Sequence, residues 1–361
     1  MKAANSGFRG RIGLAACAAA AMLTGCGGGA AGNVVQPSYA QTRPLQMGHS
    51  FGSTAQIWFH PMPPPSSWPG APPGDLGSTD YSSLFDANAP WATVAAHTSA
   101  FGLYAGWVLE APIQDLASTI SFLNQHNMGI ELEAPAMQAT SRCGNGVEGY
   151  VSSQTTVKAI TLAYLRRLQM FHANVTYVKV DEPFYFGAVT NDPRSCNFAV
   201  SDIAEQVSRY TKIVHTIYPD AQVGDVEPII ASAYSPNIRT ALYRWHKAYE
   251  KAYRAPFPFF FADIDFSYRE WPALVLALES ATKDAGMRFG IIYIGDPPDI
   301  SDAQWTGKVV DRFLTYQQGF GGKPDYVLFQ SWERHPKYCL PESSPITFTG
   351  AIAAYIAATS P

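Results

Sequence analysis

Residues 174–187, NVTYVKVDEPFYFG, decide the fold. Val175, Tyr177, Val178 and Val180 form an apolar, largely β-branched run that stops at two adjacent carboxylates, Asp181 and Glu182, and then Pro183. Such a run reads as a buried strand, and a proline, which has no N–H to give the ladder, ends it in a loop. Two acids at the end of a buried strand are costly unless they are paired or used. The same design recurs at 129–135 (GIELEAP), 223–228 (VGDVEP), 259–266 (FFFADIDF) and 291–298 (IIYIGDPP). Repetition of carboxylate-tipped strands points to one shared site.

Outward from that stretch, strands are predicted at 55–60, 103–110, 129–133, the opening stretch, 222–227, 258–265, 288–295 and 326–332. Helices are predicted at about 86–100, 113–127, 155–171, 201–218, 237–254, 270–285, 301–318 and 348–358. Leu116, Ile120 and Leu123 carry helical spacing, and Ser301 and Asp302 are placed to cap the seventh helix. The proline-heavy connection 61–80 is long enough to suggest a functional loop. Strand and helix alternate eight times, the pattern of an α/β fold of the (β/α)₈ TIM barrel kind in a single domain. A doubly wound sheet is the rival, but it needs a glycine-rich phosphate turn after an early strand, and the sequence has no P-loop.

Composition narrows the setting. Charged residues make up 15% of the 361-residue chain, below the roughly 25% usual in globular domains, while aromatics reach 13%. The formal net charge of −4 and the lack of a basic patch give no reason to expect nucleic acid. At the N-terminus Lys2, Arg9 and Arg11 precede an apolar stretch at 12–23, as in a secretory signal. Leu23-Thr24-Gly25-Cys26 resembles the lipobox of bacterial lipoproteins. That resemblance implies cleavage before Cys26, lipidation of Cys26, and anchorage at the bacterial cell envelope, with Gly27 favouring the outer membrane. The expected division is a signal peptide at 1–25, a flexible tether at 26–54 and the barrel at 55–361; no later stretch is long and apolar enough to span a membrane.

Cys143 follows the third predicted strand and Cys196 the fourth, so their loops are neighbours, and an oxidising compartment permits a Cys143–Cys196 disulfide. Cysteine spacing shows no CxxC or His-rich pattern, and no metal or other cofactor is read from it.

In a barrel, alternate residues of each strand face the lumen. If the polar parity faces inward, the lumen receives Glu131 and Glu133, Lys179 and Asp181, Asp225 and Glu227, Asp263 and Asp265, and Gln330 and Trp332. The active end of such a barrel is the carboxyl end of its strands. Glu133, Asp181, Glu227, Asp265 and Trp332 are expected to meet there, with Glu182 at the rim and Asp296 nearby. Glu131, Asp225 and Asp263 lie deeper and read as structural, and Lys179 reads as their neutralising partner. Crowded carboxylates raise one another's pKa, which lets one stay protonated as an acid beside an ionised partner. Glycoside hydrolysis uses such a pair, and aromatic rings stack on sugar faces. Trp58, Trp107, Tyr185, Tyr293 and Trp332 lie near strand ends, and His60 and Gln330 offer polar contacts.

Asp181-Glu182-Pro183 resembles the Asn-Glu-Pro of the clan A (β/α)₈ glycosidases, and Trp332 in FQSW resembles that clan's platform tryptophan. The resemblance implies that Glu182 is the acid/base. Asp181 stands where the clan has Asn, and Asp296 stands where it has its strand-seven Glu nucleophile. The expected catalytic set is Glu182 with Asp181, Glu227, Asp265 and Asp296, and the expected substrate-binding set is His60, Trp107, Glu133, Tyr185, Tyr293, Gln330 and Trp332. The leading reading is an envelope-anchored glycoside hydrolase acting on a poly- or oligosaccharide. The alternatives are a non-catalytic saccharide-binding lipoprotein and, third, a divalent-metal-dependent barrel hydrolase.

Overall fold

A computed structural model of the chain describes residues 52–68, 71 and 76–360; the expected signal, Cys26 and nearly all of the expected tether lie outside them. Eight parallel strands close into a barrel: β1 Gln56–Pro61, β2 Thr98–Tyr104, β3 Gly129–Ala134, β4 Val175–Asp181, β5 Gln222–Ile229, β6 Phe259–Ile264, β7 Arg288–Tyr293 and β8 Tyr326–Ser331. Each pairs with its sequence neighbours, and β1 closes on β8 from Gln56↔Tyr326 to Pro61↔Ser331. Helices α1 Ala92–His97, α2 Ala105–Glu110, α3 Ile113–Gln125, α4 Val157–Met170, α5 Val200–His215, α6 Ile238–Tyr253, α7 Trp271–Asp284, α8 Asp302–Phe313 and α9 Phe348–Thr359 surround it. The fold is a (β/α)₈ barrel.

Local chemistry accounts for several element starts. Thr156, Asn237 and Ser301 each accept a backbone N–H from the first turn of α4, α6 and α8, satisfying a donor that the helix itself cannot pair. The second strand lies earlier than the sequence suggests. β2 occupies 98–104, whereas Ala105–Glu110 form α2, and α1 is correspondingly shorter than its expected span. Short apolar runs such as LYAGWVLE suit either element. Here Trp107 and Val108 are buried from a helix outside the barrel.

Two apolar layers form the core. Phe101, Leu103, Ile130, Leu132, Val178, Val180, Phe260 and Ile291 face the helices. Inside, Trp58, Tyr177, Phe259, Phe261 and Tyr326 plug the lower lumen, with Trp58 4.3 Å from Tyr177 and 4.8 Å from both Phe261 and Tyr326 between ring centroids. Trp58 is therefore a core ring. One or two steps further along the same strands and faces, the lumen turns polar: His60, Lys179, Asp181, Asp263 and Gln330 follow the plug residues.

That filling sets the parity of β5. A Cβ on Gly224 would lie 2.2 Å from the Phe259 ring, so Gly224 faces the lumen to make room for the plug, and Val226 follows it inward. Asp225 and Glu227 consequently point outward, opposite to the sequence expectation. Gly102 plays the same part beneath the polar layer: a Cβ there would lie 2.0 Å from His60 Cγ. Gly102→Ala should therefore destabilise the chain by about 1–3 kcal/mol through overpacking, read as a lowered urea midpoint with an unchanged slope.

Candidate active site

At the carboxyl end of the strands the barrel opens into a cavity of about 880 Å³. Its acids are Glu133 from β3, Asp181 from β4, Glu182 just past it, Asp263 from β6, Glu148 from the loop after β3, and Asp299 and Glu333 from the loops after β7 and β8. Trp68, Tyr104 and Trp332 supply rings, and Gln330 supplies an amide. Trp68 stacks on Tyr104 at 5.5 Å between centroids, giving that wall a continuous aromatic surface. Glu182 has φ 43°, in the left-handed region, so the backbone turns sharply where the strand ends and carries this carboxyl to the cavity.

The loop bearing Glu148 is fixed to the β4 end. A Cys143–Cys196 disulfide joins the connections that follow β3 and β4. Gly149 N–H donates to the Asp181 carboxyl. Gly149 has φ 75°, and a Cβ there would sit 2.6 Å from the Asp181 carbonyl oxygen, so this close approach requires glycine.

Beneath the cavity, Lys179 is fully buried and its Nζ lies 2.8 Å from Glu133 Oε2 and 3.8 Å from Glu131 Oε1. It also donates to Gln330 Oε1 at 3.0 Å, and Gln330 Nε2 donates to Glu133 Oε2 at 2.8 Å. His60 Nδ1 is 2.9 Å from Glu131 Oε2 but out of line for a hydrogen bond, so neither ring nitrogen has an aligned partner. One donor atom each from His60, Glu131 and Glu133 falls within 4.8 Å of the others. The Lys179 ammonium lies against two members of this group, Glu131 and Glu133.

These surroundings split the acids. Burial pushes Asp181 up to about 8, with the Glu133 charge adding to it and Lys179 opposing. Burial and the charges of Glu148, Asp263 and Asp181 hold Glu182 well above the carboxylate range. Asp263 is pushed up to about 6, mainly by burial, while its hydrogen bond with Glu182 works the other way. Burial would also raise Glu133, but the Lys179 charge and the donors on its carboxylate bring it below its ordinary value. Glu133, held ionised, thus shares the cavity with Asp181 and Glu182, whose protonated forms are favoured, the division that acid-assisted bond cleavage requires.

Of the residues expected from the sequence, Glu133, Asp181, Glu182, Gln330 and Trp332 line the cavity, and the others do not. His60 is buried beneath it. Glu227 faces outward and accepts the N–H groups of Phe184 and Tyr185 at 2.7 and 2.8 Å, stapling the chain after β4. Asp225 accepts from Trp245 Nε1 at 2.9 Å on α6. Asp265 lies beyond β6, where it accepts from Ser267 N–H and Oγ–H at 3.0 and 2.6 Å. Asp296 is ion-paired to Lys308 at 2.7 Å and to Arg312 on α8, which hold it below its ordinary value against the effect of burial. Tyr293 points toward the helices, where Gln317 donates to its hydroxyl at 2.9 Å. Trp107 is a core ring packed edge-on to Tyr81, and Tyr185 packs on Phe186 and Tyr234.

Asp263, read from sequence as deep and structural, lines the cavity. Tyr104 was hidden by the misplaced second strand. Trp68, Glu148 and Glu333 come from loops, where no periodicity marks them; Glu333 is raised to about 8, chiefly by burial, and accepts from Trp305 Nε1 at 2.9 Å.

No family model and no curated protein matches the sequence. Solved structures do. A psychrophilic glycoside hydrolase family 10 endo-β-1,4-xylanase matches with a TM-score of 0.52 and 12% identity over 83% of this chain and 96% of that one. A Thermomonospora fusca β-mannanase in complex with mannohexaose has TM-score 0.42 and 12% identity over 77% and 78%. A D-psicose 3-epimerase determined with D-fructose has TM-score 0.44 and 8% identity over 84% and 99%. At such identities the likeness is one of barrel fold.

The raised acids have a cost in stability that depends on pH. Asp181 is protonated in the folded chain up to about pH 8 and ionises at about 3.9 when unfolded. The folded state therefore binds the extra proton between those values, and stability falls as pH rises through that window. Asp181→Asn should gain on wild type progressively from about pH 4 to about pH 8, in denaturant midpoints measured across that range.

Proposed function

We propose that this chain hydrolyses glycosidic bonds of a poly- or oligosaccharide, with Glu182 as the acid that protonates the departing oxygen. The observation that carries the reading is the carboxyl cluster of the cavity, in which burial and neighbouring charge favour the protonated forms of Glu182 and Asp181. A proton held near the scissile oxygen lowers the barrier to cleavage. Trp68, Tyr104 and Trp332 suit the faces of sugar rings, and about 880 Å³ suits a few residues of a glycan. The xylanase with a similar barrel is consistent with this reading. Lipidation at Cys26 would hold the enzyme at the bacterial cell envelope, close to polymeric substrates.

A saccharide-binding lipoprotein is the second reading. It draws on Asp296, the acid at the end of β7, which is engaged by Lys308 and Arg312 rather than lining the cavity.

The two readings part on a panel of xylan, mannan and galactan assayed for new reducing ends. Hydrolysis by wild type, lowered about 10²–10⁴-fold in Glu182→Gln with glycan binding retained, is expected. An acid loses its catalytic form as pH rises through its pKa, so kcat/KM should fall on the alkaline side in wild type and lose that limb in Glu182→Gln. Binding without release by wild type would instead select the binding protein.

A further inference from the structure

A carboxyl held protonated is half of a glycosidase site; the other half is a carboxylate facing the anomeric carbon. Glu227, Asp265 and Asp296 are each committed outside the cavity, to Phe184 and Tyr185, to Ser267, and to Lys308 and Arg312. Among the cavity acids, Asp263 is hydrogen-bonded to Glu182, Asp181 receives Gly149 N–H, Asp299 is ion-paired to Lys308 and Glu333 accepts from Trp305 Nε1. Glu133 stands apart. Its Oε2 is fixed by two donors, Lys179 Nζ and Gln330 Nε2, both at 2.8 Å, and those donors are joined to each other at 3.0 Å. The three residues come from β3, β4 and β8, so the ring they form is anchored in rigid strands.

We propose that Glu133 is the nucleophilic carboxylate of this site and that Lys179 is its positioning residue, an assignment that rests on the hydrolase reading above. One carboxylate oxygen is held by the lysine and the amide, leaving the other for the substrate. A group kept ionised is a weak base and an available nucleophile, which favours direct attack over activation of water. In the first step a Glu133 oxygen bonds to the anomeric carbon as the glycosidic C–O bond breaks, and the Glu182 proton passes to the departing oxygen. In the second, water bonds to that carbon and gives a proton to Glu182, and the ester bond breaks to return Glu133 as a carboxylate. Water is consumed and the anomeric configuration is retained.

The test uses 2,4-dinitrophenyl glycosides of the sugar that wild type releases from the panel, because that leaving group departs without a proton. In kcat/KM, which reads the formation of the glycosyl ester, Glu182→Gln should stay within about tenfold of wild type on them while kcat falls because the second step still needs its proton acceptor, whereas Glu133→Gln should lose at least about 10²-fold in kcat/KM on them and on the polymer alike. Comparable cleavage by Glu133→Gln, or product of inverted configuration by NMR, would overturn the nucleophile. For Lys179→Met, the acid limb of kcat/KM should move to higher pH along with the ¹³C titration of the Glu133 carboxyl, and Lys179→Arg should restore part of both. A uniform loss with neither titration displaced would reduce Lys179 to a structural role. If wild type cleaves no glycan, the hydrolase reading and the nucleophile fall together, and the ¹³C titration alone decides whether Lys179 governs Glu133.

Discussion

The site depends on one ammonium in the barrel lumen. Lys179 is fully buried, and a buried charge is tolerated only when it is paired and hydrogen-bonded. Glu133, Glu131 and Gln330 meet that demand from β3 and β8. The reciprocal effect is chemical. The lysine keeps Glu133 ionised, and the Glu133 charge then helps hold Asp181 protonated, since a second charge so close is unfavourable. A single ion pair thereby divides one cluster of acids into proton holders and a carboxylate.

The layer below makes this arrangement possible. Trp58, Tyr177, Phe259, Phe261 and Tyr326 fill the lumen with rings and close it to water from beneath. The polar residues above them are dry on one side and open to the cavity on the other. Such one-sided exposure raises Asp181 and Glu182 yet leaves them in reach of a ligand. The rings need space, and Gly224 yields it to Phe259.

That same demand for space explains where sequence reasoning succeeded and failed. The barrel was legible because most strands are apolar runs with an acid or proline at or just past their end, and because β3 and β4 keep their polar residues inside. Glu133, Asp181 and Glu182 follow from that parity and from the Asp-Glu-Pro turn. On β5 the rule breaks: the inward residues are Gly224 and Val226, and the acids Asp225 and Glu227 serve helix and loop contacts instead. Alternation shows that a strand has two unlike faces, but which face is inner is set by neighbouring strands whose side chains must interdigitate. Loop residues such as Trp68, Glu148 and Glu333 have no periodicity at all, and only the folded chain brings them to the mouth.

β7 shows the remaining constraint. Asp296 follows this strand, and Lys308 and Arg312 on α8 hold it as an ion pair. Arg312 also donates to the carbonyl oxygens of Ile294 and Gly295, so the same guanidinium fixes the backbone that leaves the barrel there. Releasing Asp296 to the cavity would leave Arg312 without its carboxylate and Lys308 with Asp299 alone, and would loosen that exit. The polar groups of the lumen thereby cluster on the arc built by β3, β4, β6 and β8, where Glu133, Lys179, Asp181, Asp263 and Gln330 stand on rigid strands and the disulfide-tied loops after β3 and β4 bring Glu148 and Glu182 to the same opening. Every strand of a barrel ends at the same mouth, so acids from several strands can share one opening without any change of fold.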